Sequence, residues 1–104
     1  MQVVVAGADE HGIADAIDAE GHDVTSVDVA DGETLPDADI EDADVYVLTE
    51  VAQATSIAVA KDYNPDVRVV VYAAGSLPEF ATRQADLLID PALLDPDAVA
   101  EELA

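Results

Sequence analysis

The fold is decided by the opening stretch of the chain, residues 3–28, VVVAGADEHGIADAIDAEGHDVTSVD. A run of valines leads into a glycine-containing turn, then a segment with apolar residues at helical spacing, then a short β-prone run that ends in Asp28. Continuous β-branched runs are typical of strands buried on both faces of a parallel sheet, and parallel strands need a crossover between them. The stretch therefore predicts a strand, a helix and a second, parallel strand.

The same alternation continues to the end of the chain. Strands are predicted at residues 2–6, 23–28, 44–49, 67–73 and 86–89, with helices between them and a last helix at 95–103. Residues 30–42 are acidic and interrupted by Gly32 and Pro36, so they are compatible with either a short helix or a loop. We expect an α/β fold, in which residues 1–104 form a single three-layer Rossmann-like domain with a five-stranded, mainly parallel sheet.

The charge of the chain is strongly negative, with 24 Asp and Glu against 3 Lys and Arg and a formal net charge of −21. Such a surface repels phosphate backbones, so we expect no nucleic acid among the partners. The acids alternate with regular hydrophobic strands, which argues against disorder. An acidic surface is also typical of adaptation to very high salt, where a Debye length of about 3 Å at 1 M screens self-repulsion. We therefore predict a halophilic archaeal protein.

Several functional classes are made improbable by what the sequence lacks. No apolar run approaches the roughly 20 residues of a membrane span, and the first residues do not resemble a signal peptide, so we expect a cytoplasmic protein without a membrane span. The absence of cysteine excludes disulfides, thiolate metal sites and a cysteine nucleophile. No nucleophile elbow, Walker lysine loop or zinc-protease helix is present. A non-enzymatic role is therefore favoured.

Three stretches resemble the amino-terminal nucleotide-binding domain (TrkA-N) of the TrkA and RCK regulators of potassium transport. They are GHDVTSVD at residues 21–28, DIEDADVYVLTE at 39–50 and QADLLIDP at 84–91. In that family an acid ends the second strand, an alanine-aspartate pair opens the third, and a similar aspartate-to-proline pattern marks the fifth. The resemblance implies a stand-alone relative of this domain and an adenine nucleotide or NAD as the cofactor.

The resemblance also implies a set of binding residues. The glycine turn would receive phosphates, because backbone amides and a helix N-terminus attract anions. An acid at the end of the second strand would accept hydrogen bonds from the ribose hydroxyls, although Asp28 is equally compatible with a surface carboxylate. Glu50 lines the same crevice or caps the helix that follows it. The implied cofactor-binding residues are Gly7, Asp9, Gly12, Asp28, Thr49 and Glu50.

The glycine turn departs from the dinucleotide fingerprint GxGxxG. Either Gly7 and Gly12 match the outer glycines and Asp9 replaces the middle one, or Gly12 lies inside the helix and the turn is truncated. In both alignments a carboxylate next to a phosphate repels it by about 1 kcal/mol in water and by more in a drier cleft. The turn therefore predicts a degenerate or weak nucleotide site.

Three functions are compatible with these features. The favoured one is a small, non-enzymatic regulatory or scaffold module with a degenerate nucleotide site, which acts as a homodimer or with a protein partner. The alternative is a genuine adenine-nucleotide or NAD sensor in which Gly7, Gly12 and Asp28 still function. The third is an enzyme or metal site built from His11 with Asp9 and Glu10, although the same triplet is typical of an exposed turn before a helix.

Overall fold

The computed structural model describes residues 1–103, and it contains one sheet of five strands in which every neighbouring pair is parallel. The predicted α/β class and the five-stranded parallel sheet are therefore confirmed. Each observed strand lies within a residue of its predicted bounds at either end. The strands are β1 Gln2–Ala6, β2 Asp23–Val27, β3 Val45–Leu48, β4 Arg68–Tyr72 and β5 Leu87–Ile89.

Helices connect the strands in the order that the sequence predicts. The undecided segment 30–42 contains a short α-helix, Thr34–Asp37, and then a single 3₁₀ turn, Ile40–Asp42. Pro36 lies in the first turn of the α-helix, where its missing N–H costs no hydrogen bond. Among the helices of residues 1–103, none is long and apolar enough to cross a bilayer. The helices are α1 Ile13–Ala19, α2 Thr34–Asp37, α3 Thr55–Tyr63, α4 Glu79–Thr82 and α5 Pro96–Leu103.

The sheet lies between two hydrophobic layers. Successive side chains of a strand point to opposite faces, so Val3 and Val5 pack with α1 and α5, whereas Val4 and Ala6 pack with α2, α3 and α4. All four of these β1 side chains are buried, as the uninterrupted run of apolar residues predicts. The three-layer arrangement is therefore confirmed.

The order of the strands across the sheet is β2-β1-β3-β4-β5. After β1 the chain forms β2 at one edge of the sheet and then crosses back, so that β3 pairs with the other side of β1. In this pair Val3 lies opposite Val45. This order is the flavodoxin-like one, and it differs from the 3-2-1-4-5-6 order of dinucleotide-binding domains. The direction of winding reverses between β1 and β3, so the carboxyl ends of these two strands form the topological switch point, where ligands bind in such sheets.

Two consecutive buried hydrogen bonds connect β3 to α3 inside the core. The Ser56 hydroxyl donates to the Gln53 carbonyl oxygen at 2.6 Å, and the Tyr46 hydroxyl lies 2.7 Å from the Ser56 oxygen. Since the serine hydrogen is already used, Tyr46 is the donor of the second bond. Burial raises the pKa of Tyr46 to about 12. A neutral tyrosine is therefore part of the folded core.

We predict that this tyrosine makes the fold less stable at high pH. Between pH 10.0 and about 12 the unfolded chain releases a Tyr46 proton that the folded chain keeps, so the free energy of unfolding falls as the pH rises. The loss should reach roughly 3 kcal/mol, at about 1.4 kcal/mol per pKa unit. Urea unfolding followed by circular dichroism measures it. Tyr46→Phe should lose much of this pH dependence, whereas Tyr63→Phe, at an exposed position, should retain it.

Candidate functional site

The carboxyl ends of β1 and β3 are joined through Thr49. Its N–H and its hydroxyl both donate to the Ala6 carbonyl oxygen, at 2.9 and 2.8 Å. The same hydroxyl oxygen accepts the Asp9 N–H at 3.2 Å. Gly7 passes directly over this hydroxyl with a φ of +109°, and a Cβ atom there would overlap it. Glycine is therefore required at position 7 by both the backbone conformation and the close approach.

Asp9 binds the first turn of α1 with its own side chain. One carboxylate oxygen accepts the Ile13 N–H at 2.7 Å and the other accepts the Ala14 N–H at 3.2 Å, while the Asp9 carbonyl oxygen accepts the Gly12 N–H at 3.1 Å. Asp9 has a φ of +51°, a left-handed conformation that aspartate tolerates better than most residues. A negative group here is also stabilised by the helix dipole. Asp9 therefore occupies the position that a bound anion would take.

Glu50 binds the other end of the same loop. One oxygen of its carboxylate accepts the Ala8 N–H at 2.6 Å, and the second accepts a hydrogen bond from the Gln53 side-chain amide at 3.1 Å. Glu50 therefore reaches across the switch point, and its carboxylate makes no capping bond to the 3₁₀ turn Val51–Gln53 that follows it.

Gln53 extends this network to the loop after β2. Its side-chain nitrogen donates to the Asp28 carbonyl oxygen at 2.9 Å, and its side-chain oxygen accepts the Ala30 N–H at 2.8 Å. Sequence reasoning did not identify this residue. The one signal in the sequence was its spacing of three residues from Glu50, which places the two side chains on the same side of a helical turn.

The structure places some of the predicted cofactor-binding residues side by side and others apart. Gly7 lies against Thr49 and Glu50, and Asp9 is hydrogen-bonded to Thr49. Gly12, with a φ of +73°, ends the loop where α1 begins. Asp28 is exposed and joins the network through its backbone carbonyl rather than its carboxylate. The backbone amides that would face a phosphate already have acceptors within the protein, namely the amides of Ala8, Asp9, Gly12, Ile13 and Ala14.

A cavity of about 310 Å³ opens beside this cluster. Asp9, Glu10 and Glu50 line its acidic side, and Tyr72 contributes to its apolar side. The His11 ring packs edge-on against the Tyr72 ring, with the centroids 6.0 Å apart and an interplanar angle of 78°. Within residues 1–103 no three His, Asp or Glu side chains are placed to hold a metal ion together. The acids and the imidazole therefore share a cavity without forming a metal centre.

The Tyr72 hydroxyl donates to the Leu94 carbonyl oxygen at 2.7 Å. Burial raises the pKa of Tyr72, and the negative charge of Asp95 raises it further. Tyr72 is therefore a neutral hydrogen-bond donor that fixes the start of the segment before α5.

The lysine and arginine side chains lie away from the cavity. The Lys61 ammonium binds the Val67 carbonyl oxygen at 2.7 Å and the Asp86 carboxylate at 3.3 Å, at the amino end of β4. Arg68 is the first residue of β4, and Arg83 forms an exposed ion pair with Glu79 at 2.9 Å. The cavity lining contains no lysine or arginine. The switch point therefore has anionic side chains without a lysine or arginine to offset them.

Comparison with known proteins agrees with the fold. The model of a family of unknown function, DUF7126, matches residues 3–103. No curated protein matches the sequence.

Solved structures with a similar fold include several response regulators. HP1043, an orphan response regulator of H. pylori, has a TM-score of 0.75 at 19% identity, covering 99% of this chain and 92% of that one. A response regulator from Thermotoga maritima has a TM-score of 0.72 at 16% identity, covering 98% and 92%. An atypical orphan response regulator has a TM-score of 0.70 at 18% identity, covering 98% and 91%.

The predicted resemblance to TrkA and RCK domains is therefore wrong, and so is the description of the chain as nucleotide-binding that followed from it. The three similar structures named above are response regulators, and the strand order of this sheet is the flavodoxin-like one rather than the dinucleotide-binding one. The resemblance failed because its short patterns mark strand ends, which both strand orders share. The assignment of Gly7, Asp9, Gly12, Asp28, Thr49 and Glu50 as cofactor ligands stays a prediction.

We predict that Gly7→Ala destabilises the fold much more than Gly12→Ala. Both glycines have positive φ, so both variants carry conformational strain of about 1 kcal/mol or more. Only at position 7 does the new methyl group also overlap the Thr49 hydroxyl, whereas the space beside Gly12 is open. The difference should be at least about 2 kcal/mol in free energy of unfolding, measured by urea titration. Equal losses would show that Thr49 moves aside without cost.

We also predict that Asp9→Ala costs about 1–2 kcal/mol of stability, because the Ile13 and Ala14 amides lose their acceptor. Asp9→Asn should cost less, since asparagine keeps one acceptor oxygen and tolerates the left-handed conformation. Hydrogen exchange of the two amides provides the direct measurement. Exchange that is unchanged in Asp9→Ala would contradict the capping role.

Proposed function

We propose that this chain, which belongs to the DUF7126 family of unknown function, is a small non-enzymatic regulatory module that acts through protein contact and without a phosphoryl group. The observation that carries the proposal is the set of hydrogen bonds at the switch point. Two of its carboxylates, those of Asp9 and Glu50, already accept hydrogen bonds from the protein's own backbone amides. Amides that would bind an anionic ligand at this place are therefore already bound by the chain itself.

The electrostatics of the cavity support a mechanism without phosphoryl transfer. A transferring phosphoryl group is stabilised by metal ions or basic side chains. Here the cavity lining has acids and no lysine or arginine, and the structure of residues 1–103 places no metal-binding group of three acids or histidines. An incoming phosphate would meet Asp9, Glu10 and Glu50 with no lysine or arginine to offset their charge.

The similar structures support the regulatory part of the proposal. Two of them are orphan response regulators, and the structure of the atypical one revealed a phosphorylation-independent regulatory mechanism. These proteins share the fold at low identity, so the analogy concerns what kind of role this scaffold supports. A module of this kind can regulate by surface contact alone.

The surface supports the contact part of the proposal. Large apolar side chains are exposed on several loops and on an edge strand, among them Leu93, whose exposed fraction is 80%. Exposed apolar patches rimmed by polar residues are typical of protein interaction sites. A second copy of this chain and a different protein are the two classes of partner that such a surface fits.

We predict that the protein takes up no phosphoryl group. Incubated with acetyl phosphate and Mg²⁺, it should keep its intact mass, and beryllofluoride should leave its amide chemical shifts unchanged. A receiver domain that accepts phosphoryl groups serves as the positive control in the same buffer. A mass increase of one phosphoryl group that disappears in Glu50→Gln or Asp9→Asn would overturn the proposal, because it would show that a capped carboxylate is reactive.

A further inference from the structure

Two cavities adjoin each other at the carboxyl ends of the strands. The first is the cavity of about 310 Å³ at the switch point, and the second, of about 360 Å³, lies between the turn after β3 and the ends of β4 and β5. Val51 and Ala73 line both of them. The two cavities therefore form adjoining parts of one groove, which extends from Glu10 to Leu88 and which we call the switch-point groove.

Three carboxylates line the first end of this groove, those of Asp9, Glu10 and Glu50. The hydrogen bonds that Asp9 and Glu50 accept come from neutral amides, of the backbone and of Gln53, which bring no positive charge of their own. Both ion pairs found within residues 1–103 involve other acids. A cleft lined by one sign of charge raises the local concentration of the opposite charge. This end of the groove therefore fits a positively charged group.

Apolar side chains line the second end of the groove, among them Val71, Leu77 and Leu88. Leu88 has an exposed fraction of 53%, so a group that covers it removes apolar surface from water. The lining of this end contains no lysine or arginine, and its one acid is Asp90, which accepts the Ala92 N–H at 2.9 Å. This end of the groove therefore fits an apolar side chain.

The two ends together select an occupant that joins a cation to an apolar group. A bare cation would leave the apolar end uncovered, and within residues 1–103 no three acids or histidines are placed to hold a metal ion together. A second copy of this chain is disfavoured because each copy has a formal net charge of −21. Its exposed arginine, Arg83, is also paired with Glu79 already. Charge complementarity therefore favours a different protein, with a basic and an apolar residue close together.

We propose that the switch-point groove binds a segment of a partner protein in which a Lys or Arg side chain enters the acidic end and a neighbouring apolar side chain packs against Leu88. The long stem of a basic side chain packs on apolar surface while its charged head meets polar groups, and the wall formed by Tyr72, Ala73 and Val51 offers that surface. This inference rests on the proposed function, because it identifies the contact surface of the regulatory module.

The test is a titration of the ¹⁵N-labelled full chain with the capped peptide Leu-Arg-Leu, at the lowest KCl concentration that keeps the chain folded. We expect shifts of the amide signals at residues 8–11, 49–52, 73–77 and 88–90. Neutral citrulline in place of arginine should weaken binding about tenfold.

Equal binding of the arginine and citrulline peptides, or no shifts, would overturn the proposal. Shifts spread evenly over the acidic surface would overturn it too, because they would show attraction to the net charge alone. Capped arginine that binds as tightly as the tripeptide would show that the groove takes a small cation, which also overturns the proposal.

Two pairs of variants provide matched controls. Glu10→Gln removes one charge from the acidic end at an exposed position and should weaken binding about threefold. Glu41→Gln removes the same charge from the exposed 3₁₀ turn before β3, at the other end of that strand, and should leave binding unchanged. Leu88→Ala should also weaken binding, whereas Leu87→Ala, on the opposite face of β5, should not. Equal losses within either pair would overturn the proposal.

Light scattering detects a second copy as the occupant, and a dimer that Leu88→Ala dissociates would overturn the proposal. The titration uses the unmodified protein, so it is independent of the phosphorylation experiment. A phosphoryl adduct would contradict the proposed function and leave the titration unchanged, whereas a failed titration would overturn this inference and leave the absence of phosphoryl uptake standing.

Discussion

The structure depends on the close approach of the β1–α1 loop to the end of β3. One hydroxyl, that of Thr49, donates to the Ala6 carbonyl oxygen and accepts the Asp9 N–H, and it occupies the space that a side chain at position 7 would need. This contact sets the path of the loop, and the path brings the Asp9 carboxylate over the first turn of α1. The start of α1, and with it one of the two hydrophobic layers, follows from this contact.

At this switch point two carboxylates accept hydrogen bonds from loop and helix amides, as a bound anion does in many α/β proteins. Asp9 and Glu50 accept the loop and helix amides directly, so the chain uses part of its excess negative charge to satisfy its own backbone. The arrangement needs no lysine or arginine nearby, and the cavity lining has none. A strongly acidic chain can therefore keep a crevice at its switch point and satisfy loop amides there with its own carboxylates.

Much of the fold was predictable because burial on both faces leaves a clear pattern in the sequence. The valine runs of β1 and β4 identify central strands, and the glycine at position 21, with a φ of +91°, marks the end of α1. The grouping of Gly7 with Thr49 and Glu50 was also predictable, since carboxyl ends of neighbouring parallel strands meet at one edge. The bonds of the Asp9 carboxylate to the first turn of α1 were not, because they depend on the left-handed conformation of Asp9. The bridge through Gln53 was not either, because it joins two loops that are far apart in the sequence.

The amino-acid sequence by itself determined the class of fold, the positions of the strands and the acidity of the surface, because hydrophobic periodicity and composition report burial and charge residue by residue. Only the tertiary structure decided that β3 pairs with β1 and that β5 is an apolar edge. A valine run shows that a strand is covered on both faces, but it does not show which strand provides its hydrogen bonds. That choice depends on how the crossovers pack, and it separates this fold from the dinucleotide-binding one that the strand-end patterns resembled.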